Sequence, residues 1–228
     1  MIRFSTLVAA LSLLIVSFPS VTDGQINIFK RDRDAIIIRK ARRYNLAAMK
    51  LVAPDVFIEL RYKVTSAANR PLYGPDMPAL IHHSTGKKLQ KVSEQLRPYG
   101  YGLKLWDGWR PPEAHFALWN AVKDPKFVVP PSKGLSWHCY GISADVTLVR
   151  LDGSAVEMPS DFDDFTPNAA SDYQGGDPEI AKRVALLQRL MINAGFRKIR
   201  SEWWHFDDMK AEGGIRNVTA ADLGIRMP

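Results

Sequence analysis

Apolar and polar positions follow two different rhythms along this chain. Val56, Ile58 and Leu60 alternate with Phe57, Glu59 and Arg61, a period of two that predicts a half-buried strand. Leu103 and Leu105 lead into Trp106 and predict a short strand that stops at Asp107-Gly108. Further strands are expected over Ile142–Val149, Phe196–Arg200 and Trp203–Asp207. The helical rhythm appears over Thr85–Leu96, where Leu89, Val92 and Leu96 share a face and Gly100 lies beyond the end. Pro111-Pro112 opens a second helix carrying Phe116, Trp119 and Val122. The clearest helix starts at Asp177-Pro178, an N-cap followed by proline at the first helical position. Ile180, Val184, Leu187 and Met191 form its apolar face, and Gly195 ends it.

Asn69–Gly74 is turn chemistry, and Pro159–Asp177 is a long loop rich in Asp, Pro, Gly and Ser, of a kind often functional inside a domain. No internal repeat is visible. Strands and helices mix without a regular βαβ alternation, which predicts an α+β fold: a central, mostly antiparallel sheet flanked by helices. The expected organisation is a single domain over residues 55–228, preceded by a lead-in over 23–54 that holds the charged run Lys30–Asp34.

Residues 1–22 differ from the rest. Arg3 is the only charge before Asp23, and an apolar run from Leu7 to Phe18 is followed by Pro19 and small residues. This is a secretory signal pattern, shorter than the roughly 20 residues of a spanning helix. Cleavage near Thr22–Gly24 and a secreted or periplasmic location are expected, with no membrane span after processing. The rest of the composition is ordinary for a globular chain: 228 residues, 46% hydrophobic and 24% charged. One cysteine, Cys139, excludes an internal disulfide, so the core must suffice. The net charge of +7 suits contact with anionic surfaces in general, but the tryptophans do not interleave with basic residues as a nucleic-acid surface would require. Phosphate loops and nucleophile elbows are absent.

The chemistry concentrates in three short segments. Ser136-Trp-His-Cys-Tyr-Gly-Ile-Ser-Ala-Asp145 and Ser201-Glu-Trp-Trp-His205 bring two histidines near carboxylates. Two imidazoles and one carboxylate form a common open zinc set, leaving a position for water. His138 and Asp145 are seven apart, so a continuous strand would point them to opposite faces, and a turn at Gly141 is needed to re-aim the histidine. Glu202 and His205, three apart, share a face only on a helix or where the strand starts irregularly. Glu202 reads as the general base, or alternatively as the third ligand with Asp145 behind it. Arg110, in Trp106-Asp-Gly-Trp-Arg-Pro-Pro112, can hold an oxyanion or a substrate carboxylate, or pair locally with Asp107 or Glu113. His82, His83 and His115 fall on predicted helices and read as surface groups.

Together these segments resemble the D-alanyl-D-alanine dipeptidases, zinc peptidases related to the D,D-carboxypeptidases of cell-wall metabolism. The resemblance runs from about Asp55 to His205 and includes Asn193-Ala-Gly-Phe196 ahead of Glu202. It implies one zinc per chain on His138, Asp145 and His205, with Glu202 as catalytic base and Arg110 as transition-state stabiliser. It further implies that Tyr62 and Ser136 line the substrate pocket and that Asp163, following Met158–Phe162, receives the ammonium of a free dipeptide. The Ala67–Arg70 stretch and the loop after Asp163 depart from the family pattern. Two other readings stand beside a dipeptidase: a D,D-carboxypeptidase or endopeptidase on peptidoglycan stems, and a non-catalytic zinc domain that binds wall fragments.

Overall fold

The computed structural model describes residues 23–64 and 66–228; the signal pattern of residues 1–22 lies outside them. In chain order the elements are α1 (Asp23–Ala41), β1 (Leu46–Ala48), α2 (Met49–Val52), β2 (Phe57–Ile58), β3 (Leu80–His82), α3 (His83–Leu96), β4 (Tyr101–Asp107), α4 (Pro112–Val122), β5 (Ser143–Arg150), α5 (Pro178–Asn193), β6 (Phe196–Lys198), β7 (His205–Asp208) and α6 (Ala220–Leu223). The main sheet has the order β2-β4-β5-β7-β6. Only its β2–β4 pair is parallel, and β1 pairs with β3 in a separate antiparallel ribbon. Among the described residues no helix is long and apolar enough to cross a membrane.

Strand β5 is the centre of the sheet and is buried from Ser143 to Val149. Its two faces differ because successive side chains point opposite ways. Ala144, Val146 and Leu148 enter the hydrophobic core, while Ser143, Asp145 and Thr147 form a buried polar row on the other face. Helix α3 packs against β4, and α5 against β5 and β6. The same alternation sorts β7. Phe206 enters the core, and Asp208 accepts bonds from Thr85 Oγ1 (2.8 Å) and Lys88 Nζ (2.6 Å) of α3. His205 and Asp207 take the opposite face, with Asp145.

A bulge brings β4 into line with this polar face. Leu105 pairs with Val146, but the next partner of Asp145 is Asp107, so Trp106 is an extra residue in the ladder. Were Trp106 paired in a continuous ladder, Asp107 would lie opposite Ala144, on the apolar side. The bulge turns the carboxylate of Asp107 to the same side as Asp145.

The structure departs from the sequence reading in several places. The Val56–Leu60 alternation yields a ladder only at Phe57–Ile58, as an edge strand. The last strand starts at His205, because Trp203 and Trp204 sit in a bend that feeds the core. Helix α4 buries Ala114, His115 and Leu118, while Phe116 is exposed. His82 lies in β3 and, like His115, is fully buried, so neither is a surface group; only His83 is exposed. Residues 31–34 are exposed or half-buried, yet they belong to α1, whose Ile37 and Ala41 join the common core with Leu46 and Met49.

Gly141 performs the re-aiming that the spacing demands. His138 belongs to a single 3-10 turn, Trp137–Tyr140, and Gly141 closes it at φ +69° before β5 begins. An added Cβ there would meet Leu46 Cδ2 at 2.6 Å and the His82 backbone nitrogen at 2.8 Å. Gly141→Ala is therefore expected to lower unfolding free energy by about 1–3 kcal/mol, from strain at positive φ together with overpacking. Urea denaturation of the two proteins checks this.

Candidate metal and catalytic centre

Three donor atoms converge on the polar face of the sheet. His138 rises from the 3-10 turn, Asp145 from β5, and His205 stands directly across the ladder from Asp145. Ligand atoms of the three lie within 4.8 Å of one another. His138 Nε2 is 3.1 Å from His205 Nδ1 and 3.3 Å from Asp145 Oδ1, and His205 Nδ1 is 2.9 Å from that same oxygen.

The opposite edges of both rings are committed elsewhere. His138 Nδ1 lies 2.8 Å from the Gly108 carbonyl oxygen, which can only accept, so that nitrogen carries the proton. His205 Nε2 lies 2.9 Å from Asp207 Oδ1 and donates to it by the same argument. In the neutral rings the inward atoms are therefore lone pairs, aimed at each other and at a carboxylate. Only a proton or a cation relieves that arrangement. Burial disfavours an imidazolium at His205, but its bonds to Asp145 and Asp207 outweigh burial and raise its pKa well above the ordinary value. Asp145 is also buried, yet His138 and His205 hold its carboxyl far below the usual range. Two imidazole nitrogens and one carboxylate oxygen, with backing partners in place, fit a divalent ion of the zinc type.

The backing layer is itself fixed. Asp207 accepts from Ser143 Oγ at 2.6 Å and Arg197 Nη2 at 3.0 Å, besides the histidine. Asp107 accepts from Tyr73 Oη at 2.6 Å and from Arg110 Nε and Nη2, both at 2.8 Å, and stands 3.5 Å from His138 Nδ1. Arg110 thus makes the local pair with Asp107, whereas Glu113 turns away to cap the backbone of Ala220. The same guanidinium reaches Asp145 at 3.5 Å and lies 4.9 Å from the Tyr62 ring centroid. Asp107 and Asp207 escaped the sequence reading. The signal that could have found Asp207 is its period-two spacing from His205.

A cavity of about 240 Å³ opens onto the three donors, lined by Tyr62, Arg110, Ser136, Asp163 and Glu202 among others. All the residues singled out in the sequence therefore meet at one place. Glu202 stands off the donor triangle, its Oε2 3.9 Å from His205 Nδ1. Burial, helped by Asp145 and Asp163 and opposed by His205 and Arg110, pushes its carboxyl up to about 8. Asp163 sits at φ +57°, an unusual conformation for a side-chain-bearing residue. It accepts from Tyr62 Oη at 3.3 Å, and its other oxygen is buried without a partner. Burial pushes its carboxyl up to about 7. Ser136 caps the 3-10 turn, accepting from the His138 amide at 3.4 Å. Cys139 is buried, and burial pushes its thiol up to about 12, which makes it an inert small hydrophobe.

A family model described as D-Ala-D-Ala dipeptidase, of the M15 peptidases, matches residues 42–220. The chain belongs to this peptidase family. It is 30% identical over 162 residues to the D-alanyl-D-alanine dipeptidase of Escherichia coli (strain K12), covering 71% of this chain and 83% of that one. It is 31% identical over 156 residues to the enzyme of the same name from Enterococcus faecium, covering 60% and 77% respectively. With the D-alanyl-D-alanine dipeptidase of Enterococcus faecalis (strain ATCC 700802 / V583) the identity is 33% over 136 residues, covering 52% and 67%. The donor triangle, Glu202 and Arg110 all lie inside the segment matched by the M15 family model.

The metal and the proton at His205 compete for the same lone pair. Binding of a divalent ion to the metal-free protein near pH 7 should release about one proton, and apparent affinity should fall as pH is lowered. Titration calorimetry in buffers of different ionisation enthalpy checks the proton count. Asp207→Ala, which removes the ring's backing partner, should weaken metal binding by about 10–100-fold in a chelator competition.

Proposed function

We propose that the chain is a zinc-dependent dipeptidase that hydrolyses free D-alanyl-D-alanine, exported from the cytoplasm through its N-terminal signal. The observation that carries this reading is the pairing, in one small cavity, of the donor triangle with the unpartnered buried oxygen of Asp163. A cavity near 240 Å³ is below the about 300–1,000 Å³ of drug-sized sites, which favours a very small substrate. A buried acceptor is matched by a substrate ammonium. An acylated amine would leave it unpaired, so it works against longer chains. That same oxygen counts against the carboxypeptidase and endopeptidase readings. Glu202, which a binding-only site would not need beside the donors, counts against a non-catalytic wall-binding role.

His138, Asp145 and His205 would hold zinc through Nε2, a carboxylate oxygen and Nδ1. When bound, zinc supplies a Lewis acid for the peptide carbonyl and lowers the pKa of water to about 7. Glu202 takes the proton of the attacking water and returns it to the leaving amine. Burial raises the Glu202 carboxyl above the ordinary carboxylate range in the metal-free site, which favours its holding the proton between the two transfers. Arg110 is fixed by Asp107, so its guanidinium stabilises developing oxyanion charge with little reorganisation. Tyr62 packs against that guanidinium and donates to Asp163, which orients the ammonium site. Ser136 keeps His138 in its turn and offers its hydroxyl to the substrate from the cavity wall. The basic charge of the chain suits work near an anionic cell wall.

The zinc-loaded protein should cleave free D-Ala-D-Ala and leave N-acetyl-D-Ala-D-Ala almost untouched. Asp163→Ala should narrow that ratio, losing kcat/KM on the free dipeptide while gaining little on the acylated one. An unchanged ratio removes Asp163 from recognition, and preferential cleavage of the acylated compound supports the carboxypeptidase. Arg110→Ala should keep KM within a few-fold and lower kcat by about 10²–10³-fold under saturating zinc. A raised KM at normal kcat would make Arg110 a clamp for the ground-state carboxylate instead.

A further inference from the structure

Two loops, far apart in sequence, meet in the wall of the catalytic cavity. One follows α4, and Asp124 sets its turn. The Asp124 carbonyl accepts from the amides of Phe127 (3.2 Å) and Val128 (3.0 Å), and its side chain accepts from the amide of Lys126 (2.8 Å). Val128 is buried in the core and anchors the turn, while Phe127 stays half-buried in the cavity wall. The other loop carries Asp163. Phe165 donates its amide to the Asp163 carbonyl at 3.0 Å, and Thr166 donates to the Asp164 carboxylate at 3.3 Å. Phe165 is also half-buried and lines the same cavity.

The two rings are in contact. Their centroids are 4.6 Å apart and their planes are inclined by 31°, within the range of stacked aromatic pairs. Neither ring can move a proton or ligate a metal, so the chemistry proposed above leaves both without a role. Their place gives them one. Lys126 and Thr166, the chain neighbours of the two rings, line a second hollow of about 270 Å³ together with Arg200 and Ser201. The rings themselves line the catalytic cavity of about 240 Å³. The stack therefore stands as a partition between the two spaces. Phe127 is the better anchored half, because it also packs against the core.

Phe165 is two residues from Asp163 and bonded to its carbonyl, so the partition stands at the end of the cavity that would take the ammonium. The side chain nearest that ammonium belongs to the first residue of a dipeptide. We infer that Phe127 and Phe165 are specificity-determining residues whose stacked rings restrict the N-terminal residue of the substrate to a small side chain. This rests on the dipeptidase reading and adds which of the two substrate residues is selected by size. A rigid aromatic pair cannot yield to a larger group without losing its own contact, and closely packed walls do not expand freely. The hollow behind it supplies room for that group once a ring is removed.

The test measures kcat/KM of the zinc-loaded protein, of Phe165→Ala and of Phe127→Ala on D-alanyl-D-alanine, D-phenylalanyl-D-alanine and D-alanyl-D-phenylalanine. The unsubstituted enzyme should discriminate against D-phenylalanyl-D-alanine, and equal efficiency on it and D-alanyl-D-alanine overturns the assignment. Either substitution should raise the efficiency on D-phenylalanyl-D-alanine relative to D-alanyl-D-alanine by about 10–100-fold, the scale on which an apolar wall discriminates by size. The corresponding ratio for D-alanyl-D-phenylalanine should move less, and zinc content should hold. Phe165→Leu keeps an apolar side chain without the stack and should fall between the wild type and Phe165→Ala. An unmoved D-phenylalanyl ratio, or an equal or larger gain for D-alanyl-D-phenylalanine, overturns the assignment. Should Phe127→Ala not fold, the two Phe165 variants decide alone. Absence of turnover of D-alanyl-D-alanine by the unsubstituted enzyme overturns the dipeptidase reading and this inference with it. Turnover with an unmoved ratio overturns the role of the two rings alone.

Discussion

Two imidazole nitrogens and a carboxylate held within hydrogen-bond range of one another repel unless a proton or a cation lies between them, and most of the polar architecture serves to keep them there. No single element supplies the restraint. Gly108 and Asp107 fix His138 from behind, Asp207 fixes His205, and Arg110 braces the far side of Asp145. Each brace is tied again, to Tyr73, Ser143 or Arg197. Buried charge is stable only when such a network is satisfied throughout. The core on the opposite face of the sheet provides the rigidity against which the network is set.

A second set of contacts joins the loop that carries Asp163 to the segment that carries Glu202. Trp203 donates its backbone N–H to Ala169 at 2.8 Å and its indole N–H to Ser160 at 3.0 Å. Ser171 Oγ reaches the Glu202 carbonyl at 3.1 Å and also the carbonyl of Ile199. Phe162, beside Asp163, packs against Tyr62, Trp106 and Trp204, with ring centroids 5.1 to 5.9 Å apart. Asp163 and Glu202 thus sit on two loops that behave as one packed body. The proposed ammonium site and the proposed base share the same scaffold, although 39 positions of sequence separate them.

Helices α3, α4 and α5 and the donor set were legible because they depend on local rules, whereas the helix α1 hid behind the charged run that it contains. Asp177-Pro178 announces α5, and its N-cap carboxylate accepts from the amides of Glu179 and Ile180 as that pair predicts. Gly141 was legible as a turn because the spacing of His138 and Asp145 required one. What could not be read depends on pairing between distant segments. The bulge at Trp106 exists only relative to β5, so nothing in Leu-Lys-Leu-Trp-Asp reveals that Asp107 changes face. His115 looks like a polar helix position until the loop over 125–136 closes over it, and His82 until β1 covers it. Asp107 behind His138 was hidden for the same reason, whereas Asp207 left a faint signal in its period-two spacing from His205.

The extra residue at Trp106 gives this stretch of β4 a counting function. A continuous ladder through all three residues would set Trp106 opposite Asp145 and turn Asp107 to the apolar face, away from His138 and Arg110. The Trp106 side chain packs instead against Phe162 and Trp203. In a relative, a residue added here would shift that register. The length of this segment therefore belongs beside the identities of the donors when the site is sought in other chains.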